Sequence, residues 1–129
     1  MSETEKITIN LGPIDLGRID VLVEQGAYTN RTDLIRTAIR NQLERHVQMI
    51  QDAVVRRSYS LGVIAVTRKD LESLRAKGEK AAYRVVGMLA IENDVTPELA
   101  LETIDSILIR GAFRVPAAVR RALGDRINA

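Results

Sequence analysis

Along Lys6-Ile7-Thr8-Ile9-Asn10-Leu11 apolar and polar side chains alternate with a period of two, which predicts a strand. Ile7, Ile9 and Leu11 share one face of it, and Lys6, Thr8 and Asn10 share the other. Gly12-Pro13 breaks the run, and the spacing then changes. Leu16, Ile19, Leu22 and Val23 follow at helical intervals, with Arg18, Asp20 and Glu24 opposite them. Asp15 and Gly17 leave the first residue of this short helix open. Gly26 ends it, and Thr29-Asn30 offer side-chain oxygens to the free amides of a second helix. Leu34, Ile35, Ala38, Ile39 and Leu43 form one stripe, which Val47, Ile50 and Val54 prolong, so this helix is expected to reach about Arg57. One strand cannot satisfy its own backbone groups, and no second strand is apparent in this half. The expected partner is therefore the same strand in a second copy of the chain.

Beyond Arg57 the pattern repeats. Ser60–Val66, Val85–Ile91 and Ile109–Val115 align on Gly62, Gly87 and Gly111, 25 and then 24 residues apart. A helical stretch follows each: Leu71, Val95 and Val119 fall at one phase, Leu99 and Leu123 at another. Thr67 and Thr96 fit N-caps, and Pro97 and Pro116 fit a first helical turn. One strand and one helix per copy at this period predict a solenoid with parallel strands. Gly62, Ile64, Val66, Gly87, Leu89, Ile91, Gly111, Phe113 and Val115 are expected to face its core. Val63, Ala65, Met88, Ala90 and Ala112 then form an apolar strip outside, to be covered by a helix, a subunit or a partner, with Arg114 marking the last strand as an edge.

The strand, the Gly-Pro break and Ile19-Asp20-Val21-Leu22-Val23-Glu24-Gln25-Gly26 leading into Asn30-Arg31-Thr32-Asp33-Leu34-Ile35 resemble the ribbon-helix-helix repressors, in particular the group typified by plasmid copy-number repressors. The likeness spans Glu5 to about Arg45. It implies an intertwined homodimer whose two strands form an antiparallel ribbon in the major groove of double-stranded DNA. By position, Lys6, Thr8 and Asn10 would touch base edges. Their chemistry suits this: Lys donates to guanine O6 and N7, Asn pairs with adenine, and Thr bonds to either or packs on a thymine methyl. The resemblance also places a phosphate at the start of the second helix, near Thr29, Asn30, Arg31 and Thr32, where unpaired amides meet the positive end of the helix dipole.

Charge alone does not point to nucleic acid. The net charge is +2, and eight Lys or Arg up to Arg57 balance eight Asp or Glu. Binding would then depend on where Lys6, Arg31 and their neighbours lie in the dimer. A 46% apolar and 28% charged composition is that of a globular chain. The polar, acidic start lacks a signal-peptide pattern and Val85–Ile91 is too short to span a bilayer, so a cytoplasmic protein is expected. The chain contains no cysteine, hence no disulfide framework and no thiolate ligand. His46 is the sole histidine, too few for a metal site or for a nucleophile-histidine arrangement, and no phosphate-binding glycine loop is present. Neither a cofactor nor an enzymatic activity is expected.

Asn30-Arg31-Thr32 also matches a glycosylation sequon, but it reads better as a helix cap. Tyr28 fits either packing on the second helix or a phosphate-contacting hydroxyl, with packing favoured; Arg56-Arg57 and Arg120-Arg121 fit solvated surface pairs, with flanking phosphate the alternative for Arg56-Arg57. The expected class is thus α+β: residues 1–57 a ribbon-helix-helix DNA-binding and dimerisation domain, residues 58–129 a three-repeat β-α solenoid for oligomerisation or partner binding. A sequence-specific repressor of transcription is the expected function. The alternatives are an antitoxin that autoregulates its operon, or a scaffold that self-assembles through its C-terminal half.

Overall fold

The computed structural model describes residues 4–129. Two compact units divide the chain, Met1–Asp52 and Ala53–Ala129, with the boundary inside a helix. The first three residues of the expected 1–57 domain lie outside the described residues.

In the N-terminal unit, residues 4–12 form no ladder, unlike the strand expected at 6–11: a lone extended segment has no partner within one chain. Helix α1 (Pro13–Glu24) starts at the Gly-Pro break itself, with Pro13 at the first helical position and Gly17 in its interior. It ends in a Schellman turn: Gly26 is left-handed (φ 82°), its amide bonds to the Val23 carbonyl, and the Ala27 amide reaches Leu22. Helix α2 (Arg31–Arg45) is capped by Asn30, whose Oδ1 accepts from the Asp33 amide at 2.8 Å. The expected continuation to Arg57 is interrupted at His46, where the His46 amide turns back to Leu43 instead of completing an α-helical bond. Helix α3 (Val47–Arg56) then resumes.

The C-terminal unit is a four-stranded parallel sheet in the order β1 (Ser60–Val66), β2 (Ala81–Ile91), β3 (Ile104–Arg114), β4 (Ile127–Asn128). Gly62, Gly87 and Gly111 stand in register across the first three strands. Helices α4 (Arg68–Lys77), α5 (Pro97–Thr103) and α6 (Ala117–Leu123) follow β1, β2 and β3 in turn. They pack on one face. Leu71, Val95, Leu99, Val119 and Leu123 from the segments after the strands close over Val66, Val85, Leu89, Ile91, Ile107 and Ile109. Thr67 and Asp70 form a reciprocal capping box, and Thr96 caps α5 through the Leu99 amide. The one buried polar side chain among the described residues, Thr103, is satisfied by its bond to the Leu99 carbonyl at 2.6 Å.

On the face expected to be the core, Val66, Leu89 and Ile91 are buried and Ile64, Phe113 and Val115 pack against them, while Gly87 and Gly111 remain exposed. On the opposite face Leu61 and Val63 are 67% and 70% exposed. Two expectations need correction. Pro116 is the N-cap of α6, not part of its first turn. Arg114 does not lie on the last strand, because β4 follows; β4 pairs only with Ile107 and Leu108, and at two residues it is too short to leave an alternating pattern.

Candidate nucleic-acid interface

Lys6, Thr8 and Asn10 are all exposed. So is the apolar side of the same segment, with Ile7 at 74% and Ile9 at 53%. An open groove of about 740 Å³ separates this segment from α2, and Ile7, Ile9, Ile35 and Ile39 supply its apolar lining. Lys6, Arg36 and Arg40 line the same groove. The two arginines were not singled out from the sequence, although their four-residue spacing beside Ile35 and Ile39 puts them on adjoining positions of one helix face. None of α1, α2 and α3 has a fully buried side chain. Leu16, Ile19 and Val23 are half-buried, as are Tyr28, Leu34 and Ile35.

At the head of α2 the structure brings Thr29, Asn30, Arg31 and Thr32 together around amides that the helix cannot pair internally. Part of this site is already committed. Asn30 Oδ1 holds the Asp33 amide, and the Thr29 amide donates to Asp33 Oδ2 at 2.9 Å. Arg31 forms a bidentate pair with Asp20 of α1, Nε to Oδ1 and Nη2 to Oδ2, both at 2.8 Å. That pair joins the two helices across the turn. The Arg31 guanidinium, donating to Asp20, holds the Asp20 carboxyl below its ordinary value, and Asp20 in return raises Arg31. Two of the five guanidinium donors are used, which leaves Nη1 and one Nη2 hydrogen for an anion. The sequence marked Arg31 as a cation beside the cap; its partner eleven residues earlier could not be seen in the spacing.

The pattern of the Ribbon-Helix-Helix transcriptional regulator family matches residues 2–120. The chain belongs to that family. No curated protein and no solved structure matches the chain significantly. As a ribbon-helix-helix regulator the protein binds DNA and acts on transcription. The match runs well past Arg45, through β3 and into α6, so strands β1 to β3 lie within the family's pattern. No described helix is long and apolar enough to cross a membrane, and no group of three or more His, Cys, Asp or Glu among the described residues is arranged to hold a metal ion.

Proposed function

We propose that this ribbon-helix-helix regulator is a cytoplasmic repressor that works as a homodimer, reading the major groove with an antiparallel ribbon made from residues 6–11 of two copies. The observation that carries this reading is the missing core of the N-terminal unit. Ile7, Ile9 and Leu11 stand at 74%, 53% and 42% exposure beside an open apolar groove, a cost no isolated soluble unit would retain. A second copy laid along the first covers them. Alternation then turns Lys6, Thr8 and Asn10 of both strands away from the new core and toward a duplex. In this reading the amides and side chains of Thr29, Asn30, Arg31 and Thr32 take phosphate oxygens and set the register.

Residues 58–129 serve in this reading as a small β-α solenoid that assembles copies or receives a protein partner. Antitoxin tails of ribbon-helix-helix proteins are usually short and fold on their toxin. The C-terminal unit instead has thirteen buried apolar residues of its own, which favours the regulator over the antitoxin.

A gel-shift titration against operator and random duplex tests the assignment. Thr8→Ala and Asn10→Ala are expected to abolish discrimination while leaving circular dichroism unchanged. Arg31→Ala is expected to weaken binding to all sequences alike and to lower the salt slope by about one for each phosphate it no longer neutralises. Retained operator preference in the Thr8 and Asn10 variants would remove the ribbon as the reader.

A further inference from the structure

The two edges of the C-terminal sheet are treated differently. The β3 side carries Asp105, Arg110 and Arg114 and is partly covered by β4. The β1 side has no such protection: Ser60-Leu61-Gly62-Val63-Ile64-Ala65-Val66 contains no charge and no proline, and Leu61 and Val63 stand largely exposed. Natural sheets blunt a free edge with lysine, proline, a bulge or a covering element. A seven-residue apolar strand with a bare edge is a surface built for another strand.

We propose that this strand is a copy of itself: in the homodimer the two β1 strands pair antiparallel about a twofold axis at Val63, joining the two four-stranded sheets into one. Three observations select this occupant. Full overlap of Ser60–Val66 with its copy sets Val63 against Val63 and Leu61 against Ala65, so open-face residues meet open-face residues and every helix stays on one side of the joined sheet. No charge on β1 opposes the pairing, whereas packing two sheets face to face would bury Arg110, whose row across the open face, Val86 and Leu61, holds no carboxylate. Three residues separate the end of α3 from the start of β1, so an N-terminal dimer keeps the two strands within a short tether of each other. Tethering makes the pairing effectively intramolecular, and a modest interface then suffices.

The proposal rests on the N-terminal dimer for that tether, and the experiment separates the two. Because the chain lacks cysteine, Val63→Cys introduces one thiol per copy. Opposed residues in an antiparallel pair have Cα atoms about 4.5–5.5 Å apart, which is within disulfide reach. Ala65→Cys is the control: its copy lies four residues along the strand, roughly 13 Å away. Each full-length variant is weighed by light scattering under reducing conditions, then oxidised mildly and run on a denaturing gel. A dimer that cross-links at least tenfold faster through Cys at 63 than through Cys at 65 is the expected result. A dimer with no cross-link at 63, or with equal rates at both positions, overturns strand pairing and leaves the ribbon dimer standing. A monomer that does not cross-link overturns both.

Discussion

At Arg31 one guanidinium joins α1 to α2 through Asp20 and also stands beside the amides expected to meet phosphate. Both groups are about half exposed, so the pair contributes little to stability. Its pH dependence nevertheless has a definite sign. The folded Asp20 carboxyl lies below 3.8, so its contribution is complete above the ordinary carboxylate value and is lost as pH falls through the lowered one. Asp20→Asn should therefore leave a smaller drop in the urea midpoint between pH 5 and pH 3 than the parent protein shows. The same change removes a carboxylate from beside the proposed phosphate contact. Gel shifts are expected to show a few-fold tighter binding of every duplex, specific or not; unchanged affinity would place Arg31 away from the backbone.

Among the elements, the in-register glycines show why three aligned copies share this one residue type. A Cβ on Gly87 would land on the carbonyl oxygen of Gly62, and one on Gly111 would land on that of Gly87. Both have positive φ, 133° and 130°, a conformation that side chains disfavour. Gly62 shares the backbone strain (φ 138°), but nothing within 4 Å occupies its Cβ position because β1 is the first strand. Gly87→Ala and Gly111→Ala are thus expected to unfold the C-terminal unit or lower its melting temperature by more than about 10 °C, whereas Gly62→Ala should cost the single sheet about 1–3 kcal/mol from strain and, with its Cβ toward the free edge, also hinder the proposed β1–β1 pairing. Thermal denaturation followed by circular dichroism, at a dilution where the chain is a single copy, decides it; equal losses at all three positions there would mean that backbone conformation, not the neighbouring strand, imposes glycine. The aligned glycines were legible as a repeat in the sequence. Which of them touch a neighbour was not, because that depends on which strand lies at the edge.

For the molecule as a whole, the two units differ in where their apolar surface goes. The C-terminal unit closes its own core, from Leu71 of α4 to Leu123 of α6. The N-terminal unit leaves Ile7, Ile14, Val21, Leu43 and Met49 exposed and buries no helix residue fully. In the proposed dimer its stability comes from association, and mass action makes association depend on concentration. Heating is expected to give a transition that rises with protein concentration, carrying the helical signal of α1 and α2, and a second, concentration-independent one for the sheet. A hundredfold dilution that left both midpoints in place would show that the N-terminal unit is stable as a single copy.

Periodicity in the sequence by itself determined which residues share a face: Ile7 with Ile9, the stripe from Leu34 to Leu43, and Leu71, Val95 and Val119 against the strands. The constraint there is local, since the backbone repeat converts spacing directly into direction. Local chemistry likewise placed the caps at Asn30, Thr67 and Thr96. Tertiary structure alone decided what depends on contacts distant in sequence: the pairing of Arg31 with Asp20, the short β4, the unprotected edge at β1, and the exposure of the N-terminal unit's apolar residues within one chain. Such features arise where one segment meets another or fails to, and no spacing along a chain records what lies across from it.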